Sequence, residues 1–403
     1  MKNVILFDSD TRENLLPLTF TRPVANLRLG ILTISEKWEK WMDAKVSYIT
    51  QDYLTKKFPI DISADNFVIN GAVLPSALLC RLIEQLEFNE ALLQNGELIA
   101  ARLNESQFEH LIHDEDIEEL QGFDVEETPF IKISNLCDLF TKNAQAIEED
   151  FGLLTKERES QPISDTNRVI GAENIFIEEG ANVEFAILNA SKGPIYIGKN
   201  AQVMEGAMIR GPFALCDHAI VKMGAKIYGG TTIGPHSKVA GEVSNAILMG
   251  YSNKAHDGYL GNSVLGEWCN IGADSNTSNL KNNYTEVKLW NYEAERFLPT
   301  GVQFCGLILG DHSKCGINTM FNTGTVIGVS ANIFGAGFPR NFIPSFSWGG
   351  SSGYSTYTIN KAFETAEKAM IRRNLTLTDI DKSILENVFQ QSAVYRRWDK
   401  ISL

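Results

Sequence analysis

The first feature of this sequence able to do chemistry is an imidazole set in a break of an otherwise regular repeat. His256 lies in NKAHDGYLGNSVLGEWCNIGA, flanked by Lys254, Asp257 and Tyr259, with Asn270 following where regularity resumes. A histidine titrates near neutrality, so it suits removal of a proton from an attacking nucleophile. A break relaxes the packing rules of the repeat and leaves room for a reactive side chain; a solvated loop histidine is the plainer reading. His218, His236 and His312 form a second set, each at the fourth position of a six-residue unit, the first two eighteen residues apart. Stacked on one face, three imidazoles make a zinc site. As corner residues they point to solvent instead.

The elements that must position these residues follow from periodicity. Aliphatic residues recur every six positions at Ile197, Val203, Ile209, Leu215, Val221, Ile227, Ile233 and Val239. Neither the helical period of about 3.6 nor the strand period of 2 generates this spacing. A triangular parallel β-helix does, with one inward aliphatic side chain per six-residue side. The phase begins at Ile170 and Phe176, slips after Val239, and resumes at Leu265 and Ile271. It returns at Leu309, Cys315, Phe321, Ile327 and Ile333 after a polar insertion over 275–304 that carries Trp290 and Tyr292. Such insertions leave the corners as loops, which often build ligand sites.

Before the repeat, residues 1–155 read as an α/β domain with a mainly parallel sheet. Val4-Ile5-Leu6-Phe7 is a buried strand, Ser76 caps a helix, and Asn95-Gly96 turns a hairpin. A helix from about 136 to 150 closes the domain, whose ligands belong at the strand C-termini. Residues 156–168 form a polar linker, 169–354 the β-helix, and 355–403 a helical tail suited to capping the open end of the coil.

The net charge of −14 argues against nonspecific nucleic-acid or membrane binding. No apolar run approaches the roughly eighteen residues of a membrane span, and Asp8, Asp10 and Arg12 interrupt any signal-peptide core. Six scattered cysteines without CxxC spacing fit reduced thiols in a cytoplasmic protein.

Hexads followed by His-x-x-Tyr-Leu-Gly and Asn-Ile-Gly-Ala segments resemble the acetyltransferase half of the bifunctional family that makes UDP-N-acetylglucosamine. The order of an α/β nucleotidyltransferase-like (Rossmann-like) domain and then a left-handed parallel β-helix is similar too. RENLLPLTFTRPVANLRLGILTI, NKAHDGYLG, GEWCNIGA, SNLKNNY and GDHSKCGINTMFNTGT resemble a divergent Bacteroidetes-type branch across essentially the full length. The resemblance implies that His256 is the general base that deprotonates the sugar amine. It places Tyr259, Asn270 and Lys226 at the sugar phosphate, with Lys254, Lys281 or Lys288 as the compensating cation where Ser244 and Thr285 replace family lysines, and Asn279 near the acetyl donor. It further implies a homotrimer with acetyl-CoA between adjacent β-helices, glucosamine-1-phosphate as acceptor, and UTP as nucleotidyl donor.

In the first domain the family's Gly-rich phosphate loop is replaced by Asp8-Ser9-Asp10-Thr11-Arg12. The resemblance leaves Thr11, Arg12 and Arg22 as nucleotide-binding residues. Gly71-Ala72 stands where the metal-binding Gly-Asp is expected, so Asp8 or Asp10 becomes the Mg²⁺ carboxylate. Another sugar and nucleotide, such as glucose-1-phosphate with dTTP, and a non-catalytic trimeric scaffold that binds sugar nucleotides remain alternatives.

Overall fold

The computed structural model describes residues 1–112, 120–125 and 129–401; the last two residues of the expected tail lie outside this range. Chain contacts form two compact units. The first comprises Met1–Leu15, Arg22–Leu27 and Leu32–Ser134; the second comprises Leu16–Thr21, Arg28–Ile31 and Asn135–Leu403.

The first unit is built on strands β1 (Lys2–Phe7), β2 (Ala44–Ile49), β3 (Asn66–Asn70), β4 (Glu90–Gln94), β5 (Glu97–Leu103) and β6 (Gln121–Asp124), in the order β2-β1-β3-β5-β4-β6. β1 runs parallel to β2 and β3, β4 runs parallel to β6, and β5 is antiparallel to β3 and β4. The sheet is therefore mixed, because the Asn95-Gly96 hairpin reverses the chain with both turn residues at positive φ (51° and 78°). Val4, Ile5 and Leu6 are buried, as a central strand covered on both faces requires. Thr33 and Glu36 form a reciprocal capping box that starts the helix Ile34–Met42, and the Ser76 hydroxyl accepts from the Leu79 N–H at 3.2 Å to start Ala77–Glu84.

The second unit is a β-solenoid. Parallel strands stack along one face from Ile175–Ile177 to Phe342–Ile343. Ile197 pairs with Leu215 and Leu215 with Ile233, eighteen residues per coil, and all eight aliphatic positions of the regular ladder are buried. Burying each such side chain contributes about 1.5–3 kcal/mol, so the six-residue spacing is what holds the coil shut. One corner, three residues after the inward position, takes left-handed backbone at Asn200, His218, His236, Tyr251, Trp268, His312, Ser330 and Phe346.

Helix Leu136–Thr155 belongs to this second unit, although the sequence reading runs the α/β domain to residue 155. Buried polar contacts hold it there. The Asn143 amide donates to the Gly230 carbonyl at 2.8 Å and accepts from the Gly30 N–H at 2.7 Å, while Asp150 accepts from the Ile31 N–H. Gly30 is at φ 81°, where a Cβ would lie 2.5 Å from the Asp150 carboxylate and 2.7 Å from the Ala146 carbonyl, so no other residue fits. The tail supplies helices Ile359–Ile371 and Asp379–Gln391. Phe389 meets Phe346 edge-on at 5.0 Å, which packs the tail on a late coil.

Candidate functional site

The phase slip after Val239 has a structural cause. Val221 pairs with Val239 eighteen residues on, but Val239 pairs with Lys254 only fifteen residues on. The shortened coil puts a lysine in an inward slot that aliphatic residues fill elsewhere. Lys254 is 1% exposed, and its ammonium donates to the carbonyl oxygens of His256 at 2.5 Å and Asp257 at 3.1 Å. Burial pulls its pKa down to about 8. A side chain positioned by sequence as a phosphate ligand is thus turned inward onto the loop it supports.

His256, exposed on that loop, lines a cleft of about 590 Å³ together with Asn270. Asn253 and Asn270 face each other on adjacent coils, and Asn270 faces Lys314 on the next. The cleft also contains Lys238, Lys314, Arg372 and Arg373, and no described carboxylate lines it. Lys238 is held below the ordinary lysine range by desolvation and then by repulsion from Arg373, Lys222 and Arg372. Burial lowers Lys314 to about 8, and its ammonium donates to the His312 carbonyl at 2.8 Å. Four cations gathered without a described carboxylate, with Lys238 held down by its cationic neighbours, make an environment that an anion relieves. Sequence reasoning missed these four residues. Lys238 and Lys314 each directly precede an inward position, and Arg372-Arg373 closes the first tail helix.

Tyr259 and Asn279 come together elsewhere: the Asn279 amide donates to the Tyr259 hydroxyl at 2.9 Å and to Asn262 Oδ1 at 2.8 Å. Burial raises the Tyr259 pKa, so the phenol remains a neutral hydrogen-bonding group. Lys226 is exposed and pairs with Glu242, which in turn pairs with Tyr259, so one coil separates Lys226 from Tyr259. Neither Tyr259, Asn279 nor Lys226 lines the cleft with His256.

The other histidines form an aromatic spine. His218 stacks on His236 at 4.7 Å between ring centroids, His236 on Tyr251 at 4.9 Å, Tyr251 on Trp268 at 4.3 Å and Trp268 on His312 at 6.3 Å. Two rings therefore separate His312 from His236, and the three imidazoles do not converge as zinc ligands must. No metal-type cluster of three or more His, Cys, Asp or Glu occurs among the described residues.

In the first unit, β1 and β3 end side by side, the Gly71 N–H donating to the Phe7 carbonyl at 2.8 Å. This is the point where strand order reverses, and in open α/β sheets ligands bind there. Asp8 Oδ1 accepts from the Val24 N–H at 2.8 Å, Oδ2 accepts from the Thr50 hydroxyl at 2.6 Å, and Arg12 Nε lies 3.8 Å away. Burial is the main influence on Asp8 and raises its pKa. A carboxylate so engaged, beside a guanidinium, fits a structural brace and not a Mg²⁺ ligand; Asp10 is exposed on the following turn. Arg12 donates to the Glu13 carboxylate at 2.6 Å and the Tyr53 hydroxyl at 2.8 Å. Thr11, Arg12 and Arg22 are all buried.

Comparison with known proteins agrees with both halves. Residues 4–159 match the family model described as sugar nucleotidyl transferase. The chain is 27% identical over 174 residues to a bifunctional sugar-1-phosphate nucleotidylyltransferase/acetyltransferase of Sulfurisphaera tokodaii, covering 43% of this chain and 42% of that one. It is 36% identical over 87 residues to the bifunctional protein GlmU of Methanocaldococcus jannaschii, covering 22% and 21%. An uncharacterized acetyltransferase, YaiX, of Escherichia coli is 26% identical over 151 residues, 36% of this chain and 65% of that one. The matches thus span less than two thirds of each of these relatives. Residues 4–159 are similar to sugar nucleotidyl transferases, and the chain is similar to bifunctional sugar-1-phosphate nucleotidylyltransferase/acetyltransferases.

Proposed function

We propose that the chain is a bifunctional transferase of amino-sugar nucleotide synthesis, acting in the cytoplasm. In this reading the solenoid transfers an acetyl group from acetyl-CoA to glucosamine-1-phosphate, and the first unit transfers a nucleotidyl group from UTP to the resulting N-acetylglucosamine-1-phosphate. The observation that carries it is His256, an exposed imidazole on a loop pinned from beneath, beside a cleft whose charged lining is cationic. The cations Lys238, Lys314, Arg372 and Arg373 suit a sugar phosphate, and Asn270 offers both a donor and an acceptor. The amine nitrogen attacks the thioester carbonyl carbon, His256 Nε2 or Nδ1 takes the proton that nitrogen sheds, and the C–S bond breaks to release coenzyme A. The imidazolium returns its proton to the leaving sulfur or to water.

A homotrimer is part of the same reading. Phe185, Met223 and Ile317 are 63%, 67% and 71% exposed and share one corner with His256, two residues after the inward Val183, Val221, Cys315 and Lys254. An exposed apolar edge of this kind supports self-association. Replacing His256 with Asn is expected to reduce acetyl transfer at least ~10²-fold while leaving any nucleotidyl transfer intact. Loss of both activities, or of neither, would overturn this division of labour. The contacts of Asp8 favour a second reading of the first unit, as a sugar-nucleotide-binding module without catalysis. An assay of UTP and N-acetylglucosamine-1-phosphate with Mg²⁺ separates the two.

A further inference from the structure

The second unit holds another cavity, of about 600 Å³, that shares no lining residue with the His256 cleft. Three parts of the chain wall it. The insertion contributes the antiparallel hairpin Lys288–Asn291 and Arg296–Pro299, a late coil contributes Phe342 and Pro344, and the tail contributes Tyr395, Arg397 and Trp398. Its lining combines two chemistries. Trp290 stacks on Phe342 at 4.1 Å, and Tyr354 stacks on Trp398 at 5.7 Å, so the walls are flat aromatic faces. Lys288, Arg340 and Arg397 supply exposed cations, none of them ion-paired among the described residues, and no described carboxylate lines the cavity.

From these observations we infer that this cavity binds a nucleotide: a compound with a planar ring to lie on the aromatic walls and phosphates to meet Lys288, Arg340 and Arg397. Aromatic faces hold a base by stacking, and arginine forks hold phosphate oxygens in pairs. Inorganic phosphate lacks the ring, and a nucleoside lacks the charge, so each satisfies half of the lining. Two sources present the full chemistry: the phosphorylated adenosine of coenzyme A, and a free uridine nucleotide or nucleotide sugar. The inference stands on this cavity alone, and its readout is binding, which is independent of whether His256 catalyses acetyl transfer.

The test titrates coenzyme A, UTP, UDP-N-acetylglucosamine, uridine and inorganic phosphate into the full chain by calorimetry, with tryptophan fluorescence in parallel. Each titration is repeated on Arg340→Ala/Arg397→Ala and on Trp290→Phe, with circular dichroism checking the fold. At least one nucleotide is expected to lose about tenfold or more in affinity in the double variant and severalfold in Trp290→Phe. Uridine and phosphate are expected to bind far more weakly than that nucleotide. Loss confined to coenzyme A assigns the cavity to the acyl donor; loss confined to UTP or the nucleotide sugar assigns it to a separate effector. If no nucleotide changes its affinity by more than about twofold in folded variants, the inference is overturned.

Discussion

The buried ammonium of Lys254 lies 2.5 Å from the main-chain oxygen of His256, two residues away. The catalytic candidate is therefore positioned by a cation in a slot of the solenoid that elsewhere holds aliphatic residues, and stability and function make opposite demands there. Lys254→Met keeps the unbranched stem in the slot and removes the charge. Its melting temperature is expected to stay level or rise, because a buried charge is costly. Acetyl transfer is expected to fall about 10–100-fold, the size of effect that small misplacements of catalytic groups produce. Unchanged turnover in a folded Lys254→Met protein would mean that the clamp does not matter to the reaction.

The two depressed lysines also set a pH dependence. Lys254 and Lys314 titrate near 8 when folded and near 10.5 when unfolded. Between those values the unfolded chain binds more protons, so these groups make stability rise with pH from about 8 to about 10.5, by up to roughly 1.4 kcal/mol per pH unit for each lysine. Burial pushes Tyr53 and Cys80 up to about 12, which opposes the trend above pH 9. The difference between wild type and Lys254→Met/Lys314→Met isolates the lysines. Urea unfolding at pH 7.5 and 9.5 should show the double variant gaining less, or losing more, than wild type over that interval.

Much of the solenoid was legible because its rule is local: one inward aliphatic side chain every six residues needs no distant partner to be recognised. The same rule marked the break at His256, since a missing aliphatic residue shows in sequence. It could not show that Lys254 fills the vacant slot, because a lysine beside a loop histidine reads equally well as a ligand. The cationic cleft was hidden for a different reason. Lys238 and Lys314 are separated by 76 residues of sequence, and Arg372 and Arg373 arrive from the tail, so only coiling brings them together. The helix Leu136–Thr155 misled because a helix after a run of strands reads as the end of an α/β domain. Its buried Asn143, which selects its partners, carries no signal in sequence.

The aromatic spine makes a separate prediction. Desolvation is the largest influence on His236 and lowers its pKa, followed by repulsion from His218 and Arg373, with Asp217 acting the other way. A folded pKa below the unfolded value of about 6.5 means that the unfolded chain binds the extra proton first. Stability from this group is therefore complete above that value and is lost as pH falls towards the folded pKa. His236→Phe retains a stacking ring that cannot charge. Its melting temperature is expected to drop less than that of wild type between pH 7.5 and 5.5, by an amount corresponding to about 1 kcal/mol or less. Equal drops in the two proteins would show that the spine does not sense protonation at this position.

Asn143 offers the sharpest test of which unit the long helix serves. Its amide donates to the Gly230 carbonyl and to the Thr232 hydroxyl at 3.0 Å, and its oxygen accepts from the Gly30 N–H, all of them buried. Asn143→Ala leaves a main-chain carbonyl and a main-chain N–H without these partners, and each orphaned buried group costs about 1–3 kcal/mol. Asn143→Asp keeps the acceptor and deletes the donor, so it should recover the Gly30 contact while opposing Gly230 with a like partial charge. Both variants are therefore expected to destabilise the second unit, the alanine by about 2–4 kcal/mol, and to leave the unfolding of the first unit's sheet unaltered. Hydrogen exchange read by peptide resolves the two. Faster exchange across Thr231–Ile233 with unchanged protection in Val4–Leu6 is the expected outcome, and the reverse pattern would reassign the helix to the first unit.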